Sequence, residues 1–291
     1  MISPLVRRRR LAAELIRLRD EHRYSSAHVA AEIGVARQRI SRLENGHVAP
    51  DLDEIMRILK LFGVADQRWQ QIMTIARDAQ ERGWWTKYAD EMGTRQALYA
   101  NLEAGANEIR EYQMVYLPGL LQIPTYTEAR VLIDRPDGAT YSHDRALQAR
   151  AGRQRVLERP DGPTYDVIID ELAIRRFAAP APVIADQLDH LVQVGHERPS
   201  ITISVLPLAA RIPQHAVPRS AFFAYRYPDP LDPVVVAVDT VTDDLVLTDE
   251  SAVNRYLDLY AKLQDAALPP GESLDFLATT AEEIRRNTHN G

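Results

Sequence analysis

Apolar positions in the first 82 residues recur at helical spacing, in consecutive short segments. Leu11, Leu15 and Leu18, flanked by Ala12 and Ile16, form a stripe on one helix that runs to about His22. Ser25 is placed to cap a second helix carrying Val29, Ala30 and Ile33. Gly34 follows where a tight turn between helices needs a positive φ that is cheap only for glycine. A third helix, Ala36 to Asn45, buries Ile40 and Leu43 and is closed by Gly46. Pro50-Asp51 with Glu54 resembles a capping box, after which Leu52, Ile55, Met56, Leu59 and Phe62 repeat helically until Gly63. Asp66 is expected to cap a fifth helix, through Ile72, Ile75 and Ala76, that ends near Gly83.

Beyond Trp84-Trp85 the texture changes. Alternating or β-rich stretches lie at 109–117, 164–170, 200–206, 220–227 and 233–241, bounded by Pro, Gly and Asp. Helical patterns fall around 94–108, 124–133, 142–158, 183–197, 250–267 and 271–286. In the segment after Thr248, Val253, Tyr256, Leu257, Tyr260 and Leu263 share one face. The pattern predicts an all-α, five-helix head over residues 1–82 and an α+β, or mixed α/β, body over 83–291. Strand order is not readable from it.

Composition narrows the classes. A chain of 291 residues exceeds what one core usually organises, and 45% hydrophobic with 26% charged residues argues against wholesale disorder. No apolar run approaches the roughly 20 residues of a membrane helix. Arg7-Arg8-Arg9-Arg10 looks like the start of a signal peptide, but Glu14, Arg17 and Arg19 interrupt the stretch that should be apolar. The expectation is a cytoplasmic, nucleoid-associated protein. Absence of cysteine excludes disulfides, thiolate metal sites and cysteine nucleophiles. The net charge of −6 hides an asymmetry: residues 1–45 hold ten Arg against five Asp or Glu, +5, which leaves −11 for the rest. A basic head on an acidic body suggests that the head meets a polyanion.

Residues 25–46 read SSAHVAAEIGVARQRISRLENG. Val29-Ala30, Gly34-Val35, Ile40-Ser41, Leu43-Glu44 and Gly46, followed by a capped helix ending in Leu61-Phe62-Gly63-Val64, resemble the helix-turn-helix of the Xre/Cro repressor family. That likeness implies a lambda-repressor-like head that binds an operator in double-stranded DNA. A recognition helix must bury one face and show bonding side chains on the other, because the major groove admits a single helix. With Ile40 and Leu43 inward, Arg37, Gln38, Ser41 and Arg42 face outward, and Arg39 joins the DNA-binding candidates. By position the likeness gives Arg37, Gln38 and Arg42 base-facing roles, and gives Asn45 and His47 phosphate contacts. Ser26 stands where the family usually has glutamine, which shortens or removes one contact. Ala36 replaces the usual Ser or Thr cap, at a cost of about 1 kcal/mol. Glu44 would be repelled by phosphate and is expected to brace the fold. The Arg7–Arg10 run spans every side of a helix, so most of it is expected to be solvated or to touch phosphate.

The likeness reaches further along the chain. Val6-Arg7-Arg8-Arg9-Arg10-Leu11, Gly83-Trp84-Trp85 with Tyr88, Leu102-Glu103, Glu108-Ile109-Arg110, Leu117-Pro118-Gly119-Leu120-Leu121-Gln122, Arg153-Gln154-Arg155 and Asp170-Glu171 resemble a set of actinobacterial Xre-type regulators. These fuse the helix-turn-helix to a large carboxy-terminal regulatory domain, are described as antitoxin-like, and are commonly encoded beside a small companion protein. In this chain Asp170-Glu171 reads more cheaply as a helix cap than as a catalytic pair. The histidines, including His190, His196 and His215, lack metal spacing, and phosphate-binding glycine loops are absent. No catalytic residue, metal or cofactor is therefore expected. Trp84, Trp85 and Tyr88 at the junction, with Gln122 and Tyr126 beyond the turn, are the candidate effector-binding residues. The expected function is a homodimeric repressor on a pseudo-palindromic operator, controlled through its body by a small molecule or protein partner. The alternative is an antitoxin-like protein whose body binds the companion while its head autoregulates.

Overall fold

The computed structural model describes residues 2–133, 142–240 and 244–289. The head comprises α1 (Pro4–Glu21), α2 (Ser26–Ile33), α3 (Arg37–Glu44), α4 (Leu52–Leu61) and α5 (Asp66–Gln80). Leu11, Leu15 and Leu18 of α1 meet Val29, Ile40, Ile55 and Ile72 in one core. The side chains of Ser25 and Asp51 accept hydrogen bonds from the backbone N–H groups of His28 and Glu54, as the pattern anticipates. Two details differ. Met56 is exposed and Ile58 takes the buried place beside Leu59. Asp66 does not cap α5; it is the first helical residue, with a left-handed φ of 51°, and no side chain caps that helix. Its carboxylate still lies in the first turn, where the helix dipole favours negative charge.

The body comprises α6 (Ala89–Glu103), β1 (Glu108–Gln113), α7 (Pro124–Ile133), α8 (His143–Gln154), β2 (Thr164–Asp170), α9 (Glu171–Arg175), α10 (Ala181–Glu197), β3 (Ile201–Leu206), β4 (Phe222–Arg226), β5 (Val235–Val238), β6 (Leu245–Leu247), α11 (Glu250–Ala266) and α12 (Pro270–His289). The strands make one mixed sheet, ordered β3-β2-β1-β4-β5-β6. β3, β2 and β1 run parallel, and β4, β5 and β6 continue antiparallel. The body is therefore α+β. The stretch expected at 109–117 stops pairing by Gln113, since β4 begins opposite Tyr112. The last residue of the 233–241 stretch lies outside the described residues, and the short β6 has no counterpart in the pattern.

Both sheet faces are covered, which explains strands such as Val235–Val238 that are buried at every position. Ile109, Tyr165, Val167, Ile203 and Tyr225 face a core shared with α10 and α12. Tyr112, Ile168, Phe222 and Val236 face α11 through Val253, Tyr260 and Leu263. Asp170 ends β2 as a cap: its Oδ1 accepts from Leu172 N at 2.9 Å, while Tyr112 donates to Oδ2 at 2.8 Å. Glu171 pairs with Arg175 at 2.5 Å. Both carboxylates thus have structural work.

The first turns of α1 belong to the body. Val6 is buried in the body's core, and Asn101 Oδ1 on α6 accepts from the Ser3 hydroxyl at 2.9 Å and from Leu5 N at 3.1 Å. The arginine run departs from expectation. Arg7 and Arg10 both reach Asp229 and Asp232, in the loop between β4 and β5, and Arg7 also reaches Asp78 at 3.4 Å. Arg8 donates to Ala79 O at 2.9 Å and Arg9 to Asn45 O at 2.9 Å. All four are anchored within the protein, because a helix that spans two cores meets protein on most of its sides. The hydrogen bond from Arg10 holds Asp229 below its ordinary value, against the opposing effect of burial.

Replacing both Asp229 and Asp232 by Asn removes the counter-charges of Arg10 and leaves Arg7 only Asp78. That double variant should lose about 1–3 kcal/mol of unfolding free energy. It should also release the head earlier than the body in thermal unfolding. Denaturation followed separately by head and body probes checks this; coincident, unshifted transitions would refute the clamp.

Candidate DNA-binding surface and ligand cavities

The turn between α2 and α3 is built by Gly34, which caps α2 with φ 72° while Val35 N donates back to Ala30 O at 2.9 Å. α3 then starts at Ala36 without a side-chain cap. Ile40 and Leu43 turn into the head's core and leave Arg37, Gln38, Ser41 and Arg42 exposed. Among the described residues, the side chains of Arg37, Gln38 and Arg42 are engaged by no other group, so their donors point to solvent. Arginine can bond guanine bidentately in the major groove, and glutamine can do so with adenine.

The remaining head candidates sort differently. Arg39 donates to Glu54 Oε2 at 2.8 Å and to Ala49 O at 3.3 Å, so it fastens α3 to α4 rather than projecting outward. Ser26 donates to Glu44 Oε2 at 2.8 Å, and Arg19 donates to Glu44 Oε1 at 2.7 Å. Glu44 is therefore the brace between α1, α2 and α3, and Ser26 serves it. Asn45 donates to Ser41 O at 2.6 Å and its own carbonyl receives Arg9. His47 is exposed beside it.

The candidate effector residues are not brought together. Trp84 and Tyr88, in a short 3-10 turn over Trp84–Tyr88, line a cavity of about 490 Å³ with Gln148, Gly152 and Arg155 of the α8 region. Gly152 is needed there, since a Cβ would lie 2.7 Å from the Trp84 ring. Trp85 is buried among Met92, Ala100, Ala104 and Ala149 and holds α6 to α8. These aromatics pack on the body's helices; the head is tied to the body through α1 instead. Tyr126 is fully buried and accepts from Leu117 N at 3.2 Å, while Gln122 donates to Leu117 O at 2.8 Å. Both brace the turn at 117–122, although Gln122 also lines a second cavity.

That second cavity, of about 420 Å³, lies between the sheet and α6, α7 and α8. Glu111 and Gln113 of β1 and Phe223 of β4 line its sheet side. Met92, Arg95, Gln96 and Tyr99 line it from α6, and Arg150 and Arg153 from α8. Arg153 and Glu103 form a buried pair, Nε lying 3.2 and 3.0 Å from the two carboxylate oxygens. Arg153 lines both cavities, so this pair divides them. Glu111 is fully buried in the centre of the sheet and accepts from the Tyr165 hydroxyl. Burial pushes its carboxyl up to about 7, against the opposing effects of Tyr165, Gln113 and Arg153. Sequence reasoning missed Glu111. Its signal was strand parity, because Glu111 shares a side with Ile109 and therefore had to point inward.

A family model for the helix-turn-helix matches residues 15–68. A second, described as Domain of unknown function (DUF5753), matches residues 96–279. The chain belongs to that family. Comparison with curated proteins and with solved structures gave no match. The protein therefore carries a helix-turn-helix head of the DNA-binding, transcription-regulating kind on an α+β body. No helix among the described residues is long and apolar enough to cross a membrane.

Glu111 makes a pH-dependent contribution. Unfolded, it titrates near 4.5; folded, near 7, so the native chain holds more protons between those values. Stability from this group therefore falls as pH rises through that window and then levels. Glu111→Gln should gain on the parent by about 1–3 kcal/mol between about pH 5 and about pH 8. Urea denaturation of both proteins at the two pH values checks it, and a pH-independent difference would refute it.

Proposed function

We propose that this protein is a sequence-specific transcription regulator that binds its operator as a homodimer and is controlled through its body. The observation that carries the reading is the exposed Arg37, Gln38 and Arg42 face on a helix whose other face is locked into the head. One such helix reads too few base pairs to find a site in a genome. Two heads on a pseudo-palindrome, centred about 34–36 Å apart or a multiple of that, supply the rest. Repression by occupying the operator is the simplest outcome and needs no catalysis. The body serves control: it fixes α1 through Asn101, Asp229 and Asp232, so a molecule that prefers one placement of α1 would change how two heads meet DNA.

The operator is first recovered from bound genomic fragments. Arg37→Ala and Arg42→Ala should then each cost about 1–3 kcal/mol on it and relax base preference at one position. Arg39→Ala should instead lower head stability with a smaller loss of base discrimination. Footprinting and titration of each variant decide this. An unaltered preference in a folded Arg37→Ala/Arg42→Ala protein would reject α3 as the reader, and protection of a single half-site by a monomer would reject the dimer.

A further inference from the structure

We propose that the 420 Å³ cavity above Glu111 is a binding site for a small amphipathic amine, its ammonium on Glu111 and its apolar body against Met92, Leu120 and Phe223. The site deepens the reading of the body as a signal receiver and rests on it for any consequence at DNA. The volume falls in the range of small-molecule pockets.

The charges that line the cavity are mostly balanced already. Arg153 is neutralised by Glu103, and Arg95 by Asp239 at 3.1 Å and Asp244 at 3.2 Å. Glu91 is neutralised by Arg145 at 2.5 Å. Among the described residues Glu111 has no ion pair, and its Oε1 has no hydrogen-bond partner although it is fully buried. The Tyr99 hydroxyl, lining the same cavity, is also buried without a partner. Interior polar atoms are rarely left so, and the exceptions call for a ligand or another use.

The chemistry follows from what those two atoms lack. Glu111 Oε1 can only accept when ionised, and the Tyr99 oxygen can accept as well as donate. A primary ammonium carries three donors and no acceptor, and so satisfies both while giving the buried carboxylate its counter-charge. A hydroxyl would fill one hydrogen bond and leave the charge unpaired. A carboxylate would face Glu111 directly. Arg130 and Arg150 also line the cavity, from α7 and α8. Tyr99 lies on α6 two residues before Asn101, the residue that holds Ser3 and Leu5 of α1. Occupancy therefore bears on the helix that joins body to head.

The test uses the full chain and three probes that share a ring: benzylamine, benzyl alcohol and benzoate. Of the five methionines Met92 lines this cavity, so methyl-labelled methionine gives a local NMR signal. Benzylamine should shift the Met92 resonance and bind at least about tenfold more tightly than benzyl alcohol, with benzoate weakest, for roughly 1.4 kcal/mol or more of discrimination. Glu111→Gln should abolish the preference for the amine while keeping weak binding of the alcohol. Tyr99→Phe, which removes only an unpaired hydroxyl, should fold normally and weaken benzylamine several-fold. No Met92 shift with benzylamine, benzoate equal to it, or undiminished amine preference in either folded variant would overturn the site. Operator affinity with and without benzylamine is a separate readout. Binding at Met92 with unchanged operator affinity would keep the site and remove its part in control.

Discussion

One helix, α1, belongs to two cores at once, and the architecture depends on that sharing. Its first turns are held by Asn101 and buried with Val6 in the body, while Leu11, Leu15 and Leu18 are buried in the head. A rigid α-helix cannot satisfy both without fixing the head's orientation, since rotating it by one residue would turn either stripe out of its core. The Arg7 and Arg10 contacts with Asp229 and Asp232 add charge to the same constraint. The charge asymmetry along the chain therefore has two uses: part of the basic excess docks on the acidic body, and part, at Arg37 and Arg42, faces solvent.

Within the body, the second constraint is buried charge. A mixed sheet covered on both faces leaves little room for carboxylates, yet Glu111 sits on its central strand and Glu103 sits beside Arg153 between two cavities. The Glu103–Arg153 pair is closed on itself, whereas Glu111 is served on one oxygen by Tyr165 and left open on the other. Burying an ion in this way costs stability that apolar residues would not. Glu111 Oε1 and the Tyr99 hydroxyl, both buried without a hydrogen-bond partner, belong to residues that line the same cavity. Of the aromatics, Trp85 packs between α6 and α8, while Trp84 and Tyr88 line the cavity beside Gly152.

Much was legible in the residues alone. Periodicity located the five head helices, the principal body strands and the long helices, because apolar spacing and caps are local properties of the chain. Gly34, Ser25, the uncapped Ala36 and the inward Ile40 and Leu43 are all readable without a third dimension. The outward set Arg37, Gln38 and Arg42 follows from them, since a helix has only one other face. What stayed hidden was partnership across distance. Arg39 and Ser26 share that local pattern, but Glu54 and Glu44 claim them. Arg7 and Arg10 are more than two hundred residues from Asp229 and Asp232. The cavity over Glu111 needs α6, the sheet and α8 together. Sequence determines which face each element shows, because that depends on neighbours three or four residues away. Only tertiary structure decides what meets that face, because ion pairs and cavities form between segments whose separation along the chain carries no periodic signal.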